Sequence, residues 1–418
     1  MAFSAKVGSF AQPTSTGNSS VTGVGFQPKL ILLFGNSRTS DGSTALGQFS
    51  FGVGVSSSDR RAGSYASTDN TAGGQVGFSE GNTRCWRLGD GTGNNLSQAD
   101  FVSMDADGFT LNWTVADASA RIVNYIALGG TDLTNVKSGS NAMRTSTGNQ
   151  SYTGMGFQPD AMLFFFTHYS QSTNGGTNTG AARFTIGYAN SATSRGYSAW
   201  LSRNGDNPTV TNRVQKTNRC FGQLTTDSLL SEFDLVSFDA DGFTVNQTTA
   251  SGTADSFYWV ALKGGQFKTG SFNQATSTGS QATTGVGFQP SALILQSINN
   301  ATSASVLANS RNSFGAGSSS SARAAVWTGD RDNVATSITD QNLDQTSICR
   351  LMTETTPTLD ADADLTTLDS DGFTLDWTTA DATAREILYF AAGATGGGGG
   401  GSNNGAAMHH YMTLMGAH

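Results

Sequence analysis

The tetrapeptide Gly-Phe-Gln-Pro followed by an apolar run occurs three times. It reads Gly25-Phe26-Gln27-Pro28, Gly156-Phe157-Gln158-Pro159 and Gly287-Phe288-Gln289-Pro290, spaced by 131 residues both times (156−25 and 287−156). A second marker follows each copy: Asp105-Ala106-Asp107-Gly108-Phe109-Thr110, Asp239-Ala240-Asp241-Gly242-Phe243-Thr244 and Asp369-Ser370-Asp371-Gly372-Phe373-Thr374. Between the two lies one cysteine per copy, Cys85, Cys220 and Cys349. Markers in one order at one period describe tandem copies of one unit, and such a repeat constrains the fold before any local pattern does. The boundaries that follow are 1–131, 132–264 and 265–394 for the copies, 395–405 for a linker and 406–418 for a terminal arm.

A copy of about 130 residues can close its own core without disulfides or metals. Charged residues make up only 13% of the chain against a usual quarter, and 52 of 418 residues are glycine. Solubility therefore rests on Ser, Thr, Asn and Gly, the profile of a turn-rich all-β protein. The net charge of −8 and the lack of any basic run argue against nucleic acid, which is bound by clustered Lys and Arg that release counterions. No stretch approaches the roughly 18 apolar residues of a membrane span. Met1-Ala2-Phe3-Ser4-Ala5-Lys6 lacks the apolar core of a signal peptide, so synthesis in a cytosol without export by the common route is expected.

Each anchor opens a strand. Pro pushes the Gln before it into extended geometry and is tolerated at the first position of a strand. The runs that follow, 30–34, 161–166 and 292–295, are apolar without alternation. That pattern predicts burial on both faces, one against the copy's own core and the other against a neighbouring copy. A glycine-bearing strand comes next: Phe51-Gly52-Val53-Gly54, Ile186-Gly187-Tyr188 and Phe314-Gly315-Ala316-Gly317. Arg60, Arg195 and Arg323 recur beyond it, more consistent with a repeated strand-edge hydrogen bond or aromatic packing than with ligand capture. The aromatics that follow, Tyr65, Trp200 and Trp327, are the candidate glycan contacts. The variable polar segments 66–83, 201–218 and 328–346 would carry specificity as loops on a rigid frame.

The Asp-x-Asp-Gly marker between two β-rich runs reads as a hairpin, since that turn needs a positive φ. Calcium is the competing reading, but no copy offers the third ligand and the Glu that an EF-type loop needs. With closing strands at 122–128, 257–262 and 387–392, each copy holds about eight strands and no helix. The expected fold is all-β: three tandem antiparallel β-sandwiches of jelly-roll type in a pseudo-threefold arrangement. The cysteines precede the hairpin Phe by 24, 23 and 24 residues (109−85, 243−220, 373−349). No disulfide can form within a copy. A small buried hydrophobe is the main reading; the alternatives are thiols gathered at a pseudo-threefold axis or linked to another subunit, and a three-sulfur metal site lacks a fourth ligand nearby.

Residues 396–401 are six glycines, with no Lys-Ser or Lys-Thr after them to make a phosphate loop. This flexible tether leads to the arm, where Met408, Tyr411, Met412 and Met415 share one face of a short helix and Leu414 adds to its apolar character. Two or three turns are not stable alone. These five residues are the candidate docking contacts of an arm that orders on a partner; folding back on the third copy is the alternative.

Catalytic and metal sites find no constellation. Of four histidines, His168 lies in one copy only and the others, His409, His410 and His418, are in the tail. Nothing has the spacing of a zinc site, and no carboxylate pair suggests glycosidic chemistry. No cofactor is expected. The Gly-Phe-Gln-Pro opener, the Asp-x-Asp-Gly-Phe-Thr hairpin and the aromatic-apolar closing strand ending in Gly resemble a repeat in structural proteins of tailed bacteriophages, over about 390 residues (three copies of about 130) and excluding the tail. That resemblance implies a β-sandwich virion component without enzymatic activity, made in the host cytoplasm. It would decorate the capsid or form an appendage and meet other capsid or tail proteins through its arm. A carbohydrate-binding receptor module of a tail fibre, contacting cell-surface glycan, is the second expectation. Neither involves nucleic acid or membrane insertion.

Overall fold

The computed structural model describes residues 2–167, 176–177, 181–301, 305–354 and 357–395. Among them the protein is strand and turn throughout, with no helix. The first copy contains β1 (Ser4–Ala11), β2 (Gly17–Thr22), β3 (Pro28–Gly35), β4 (Gly42–Ala45), β5 (Gly47–Ser56), β6 (Asp59–Thr68), β7 (Gln75–Gly81), β8 (Trp86–Gly89), β9 (Asn95–Asp105), β10 (Gly108–Val115) and β11 (Ile122–Gly129). The other two copies repeat all eleven in the same order. The expected eight falls short because β4 is short and polar and β7 lies inside a segment that reads as a loop. Each of the three variable segments in fact contains a strand: β7 and its counterparts Thr211–Lys216 and Thr339–Asp344.

All pairings are antiparallel. Within the first copy one sheet runs β1-β11-β3-β5-β6-β7 and a four-stranded sheet runs β2-β10-β9-β8. Two meanders, β5 to β7 and β8 to β10, thus occupy different sheets. This differs from the steady alternation between sheets that a jelly roll requires. The two sheets share a core containing Ile31, Leu33, Trp86, Phe101, Phe109, Trp113 and Tyr125, and the second and third copies have equivalent cores of their own.

The strand β3 shows why its run does not alternate. Ile31 and Leu33 enter the copy's own core, whereas Leu30, Leu32 and Phe34 enter a core shared by all three copies. There the Phe49 ring lies 5.2 Å from Phe184, 5.4 Å from Trp200 and 5.9 Å from Phe314, so one side chain touches the other two copies. Aromatic pairs at such separations in edge-to-face geometry add about 0.5–1.5 kcal/mol beyond their burial.

A ring of exchanged strands surrounds this axial core. Gly176–Thr177 of the second copy adds to β7 of the first, and Leu307–Ala308 of the third adds to Thr211–Lys216 of the second. β4 of the first copy adds to Thr339–Asp344 of the third, which closes the circle without a covalent link. Each exchange covers the free edge of a large sheet, an edge that would otherwise invite pairing with another chain.

The two sequence markers form one structural unit. In the hairpin turn, the Asp107 carboxylate accepts the amides of Gly23 and Gly25 at 3.0 and 2.6 Å, and Gln27 Nε2 donates to the Met104 carbonyl at 2.8 Å. Asp241 with Gly154 and Gly156, and Asp371 with Gly285 and Gly287, repeat the clamp. Asp105 accepts the hydroxyls of Ser103 and Thr110. Although exposed, the Asp107, Asp241 and Asp371 carboxylates hold the strand opener against the turn. Gly108 has φ +154°, and a Cβ there would fall 1.9 Å from the Val21 carbonyl oxygen.

A second glycine requirement corrects the cysteine register. A Cβ on Gly52, Gly187 or Gly315 would lie 1.8, 2.0 or 1.9 Å from the carbonyl oxygen of Cys85, Cys220 or Ile348 respectively. Structurally, then, Ile348 is the counterpart of Cys85 and Cys220, and Cys349 sits one residue on. Each thiol is buried in the core of its own copy, so the three do not gather at the axis.

Candidate functional site: the two ends of the pseudo-threefold axis

Strand register fixes what meets on the axis. Gly47 pairs Ser67, Ala182 pairs Ser202 and Ser310 pairs Asp330, which makes Ser67, Ser202 and Asp330 equivalent residues of the three copies. They converge above the aromatic layer. Asp330 is 1% exposed; its carboxylate accepts the Ser67 hydroxyl at 2.6 Å and the hydroxyls of Ser202 and Tyr65. Burial pushes this carboxyl up to about 6 despite the three hydroxyls that favour its charged form. Asp340 is likewise pushed up to about 6, by burial and then by the charges of Asp69 and Asp330. Burial, with Asp330 second, raises the Tyr65 phenol well above its ordinary value.

Beyond this knot the chain turns that follow β6 and its counterparts interlock in a second cyclic set. Asp69 accepts the Thr339 amide at 2.9 Å, Asn204 that of Val76 at 3.1 Å and Asp332 that of Thr211 at 2.8 Å. Every one of these bonds crosses between copies. An isolated bridge between Ala72 and Thr336 adds to them. A cavity of about 10 Å³ under the turns is lined by all three copies, including Ser67, Ser202 and Asp330; that is room for about one water. Asn70, Asn207 and Asn333 are exposed at this apex. The polar segments singled out from sequence therefore do lie together, but much of their polarity is spent on binding one another.

At the opposite end of the large-sheet strands, the base, the two described chain ends meet. The Asp132 amide donates to the Ala2 carbonyl at 2.7 Å, and its carboxylate accepts the Thr395 amide and hydroxyl at 2.8 and 2.7 Å. Asp132 itself belongs to the connection from the first copy to the second. The β5–β6 turn of each copy also caps the first strand of the next. Asp59 accepts the Ser138 amide, Asn190 the Thr269 amide and Ser318 the Val7 amide.

Tyr65, Trp200 and Trp327, the candidate glycan contacts, are buried. Their exposures are 0, 0 and 1%. Tyr65 and Trp200 point into the axial core, because the face of β6 that an isolated copy would leave open is covered by the other copies. Trp327 pairs with Ser313, whereas Tyr65 and Trp200 pair with Phe49 and Phe184; it sits one residue out of register with them, on the other face of its sheet. The recurring arginines lie on strands interior to their sheets and make hydrogen bonds and ion pairs there. Arg60 donates to the Thr83 carbonyl, Arg195 pairs with Asp234 and Arg323 with Asp364. His168 and the arm residues Met408, Tyr411, Met412, Leu414 and Met415 lie outside the described residues. Among the described residues no group of three or more His, Cys, Asp or Glu is placed to hold a metal.

Asp330 escaped the reading of the sequence. The one signal for it was asymmetry: an acid closes an apolar strand where the other two copies carry serine.

No family model matches the chain, and no curated protein does. Among solved structures it is similar to a chain in the structure of the Macrobrachium rosenbergii nodavirus at 13% identity, covering 64% of this chain and 92% of that one with a TM-score of 0.14. It is also similar to OmpT, an outer membrane protein of Vibrio cholerae, at 7% identity, covering 93% and 97% with a TM-score of 0.08. At these TM-scores neither likeness carries an argument about fold or function.

Proposed function

We propose that the chain is a non-enzymatic structural protein in which three fused antiparallel sandwiches stand in for a trimer at a threefold or quasi-threefold position of a larger particle. The carrying observation is the closed ring: the third copy engages the first through β4 as the second engages the first through Gly176–Thr177. Closed cyclic symmetry of this kind is what a homotrimer would supply. The base offers the attachment side. Thr395, the last described residue, is fixed there by Asp132, which puts the start of the Gly-rich tether at the base. The proposed setting is the virion of a tailed bacteriophage, on the capsid or in an appendage, as the sequence resemblance suggests.

The test is incorporation into virions of the full chain and of a chain ending at Thr395, scored by immunoblot and by electron microscopy of labelled particles. The shortened chain should keep its melting temperature and fail to incorporate. Incorporation at the full-length level would remove the arm from the account, and absence of the full chain from virions would remove the setting. No observation favours the glycan-binding reading, whose aromatic candidates are buried.

A further inference from the structure

We propose that Asp330 is a proton-operated latch that couples the three copies at the apex, tightening in mild acid and loosening towards neutral pH. One ionisable side chain there is bonded to all three copies: it belongs to the third, Ser67 and Tyr65 to the first and Ser202 to the second. At the same place a true trimer would carry three identical residues, and two of the copies carry neutral serines. Gly47 makes room for the acid where its counterparts are Ala182 and Ser310: a Cβ at Gly47 would fall 2.4 Å from an oxygen of the Asp330 carboxylate.

The charged groups around it leave the carboxylate without a counter-ion. Tyr65 and Asp69 approach from the first copy, and Asp340 lies on the strand paired with its own. Arg203 and Arg331 line the same cavity as Asp330, yet the ion pair of Arg203 is with Asp206. Asp332 is bonded to the Thr211 and Asn309 groups beyond the knot. Among the described residues no Lys or Arg forms an ion pair with Asp330. A buried carboxylate with Asp69 and Asp340 nearby is costly when charged, and protonation removes that cost.

The sign follows from where the proton is held more tightly. The folded carboxyl titrates at about 6 and the free one at 3.8, so folding takes up a proton between those values. The stabilisation is complete below the lower value and lost as pH rises through the upper. Between pH 7.5 and 5.0 the contribution to the unfolding equilibrium constant is about tenfold.

The experiment is urea denaturation of the wild-type chain, of Asp330→Ser, which installs the residue of the other two copies, and of the near-isosteric Asp330→Asn, each at pH 7.5 and 5.0. The charge of Asp330 helps to raise the Asp340 carboxyl, so the three proteins are compared a second time with Asp340→Asn in each; the remaining carboxylates are common to all. The wild type should gain about tenfold on both variants in going to pH 5.0. Hydrogen exchange of the Thr211 and Thr339 amides should show the same gain in protection. Equal pH dependence in wild type and either folded variant would overturn the latch, as would a gain that appears in global unfolding but spares the apex amides.

Discussion

Phe49→Ala tests whether three copies make one folding unit. Phe49 is fully buried, and its ring is packed on Phe184 and Trp200 of the second copy and Phe314 of the third. Removing such a ring costs about 3–5 kcal/mol, transfer and cavity together. The consequence for melting depends on how much chain unfolds with it. At about 2.1 cal/mol/K per residue, a cooperative block of roughly 390 residues has an unfolding entropy near 0.8 kcal/mol/K, so the single transition should fall by about 4–6 °C. An independent first copy of roughly 130 residues would instead melt about 11–18 °C early while the other two stayed put. Differential scanning calorimetry distinguishes these outcomes directly. One endotherm moved by the smaller amount is expected; a split trace with one early component would refute the shared axial core.

Gly52→Ala should destabilise by more than 3 kcal/mol, an exceptional cost for one methyl, because the added Cβ would meet the Cys85 carbonyl oxygen at 1.8 Å, a backbone atom that cannot step aside; urea titration checks it. All three thiols are buried and their ionisation is pushed up by burial, so a disulfide reagent at pH 8 should label none in the native state and three per chain in urea. Labelling of any one thiol in the native protein would contradict its placement in a closed core.

Much of this architecture could be read from residues because local rules and tertiary contacts agree. Leu30 to Phe34 is uniformly apolar because both faces are covered, and the Asp-x-Asp-Gly turns form the hairpins their chemistry demands. The exchanged strands were illegible for a physical reason. Gly42-Ser43-Thr44-Ala45 has no apolar face and no β-rich run; it is a strand only because Thr339–Asp344 of another copy presents a free edge to it. Tyr65 and Trp200 failed in the same way. Alternation says that they share a face of their strands, but nothing local says that two other copies cover that face. Asp330 followed from neither rule, since its surroundings are assembled from residues 128 and 263 positions away.

The central claim is that the three copies close a ring in which the break between Thr395 and Ala2 is the third junction. The first two junctions are residues 130–134 and 264–265. Joining Thr395 to Ala2 through a short linker, without residues 396–418, and opening the chain between Gly264 and Gly265 yields a circular permutant that tests it. The account predicts one calorimetric transition within a few degrees of that of the unpermuted chain ending at Thr395. A permutant that fails to fold, or that melts in separate steps, would contradict it.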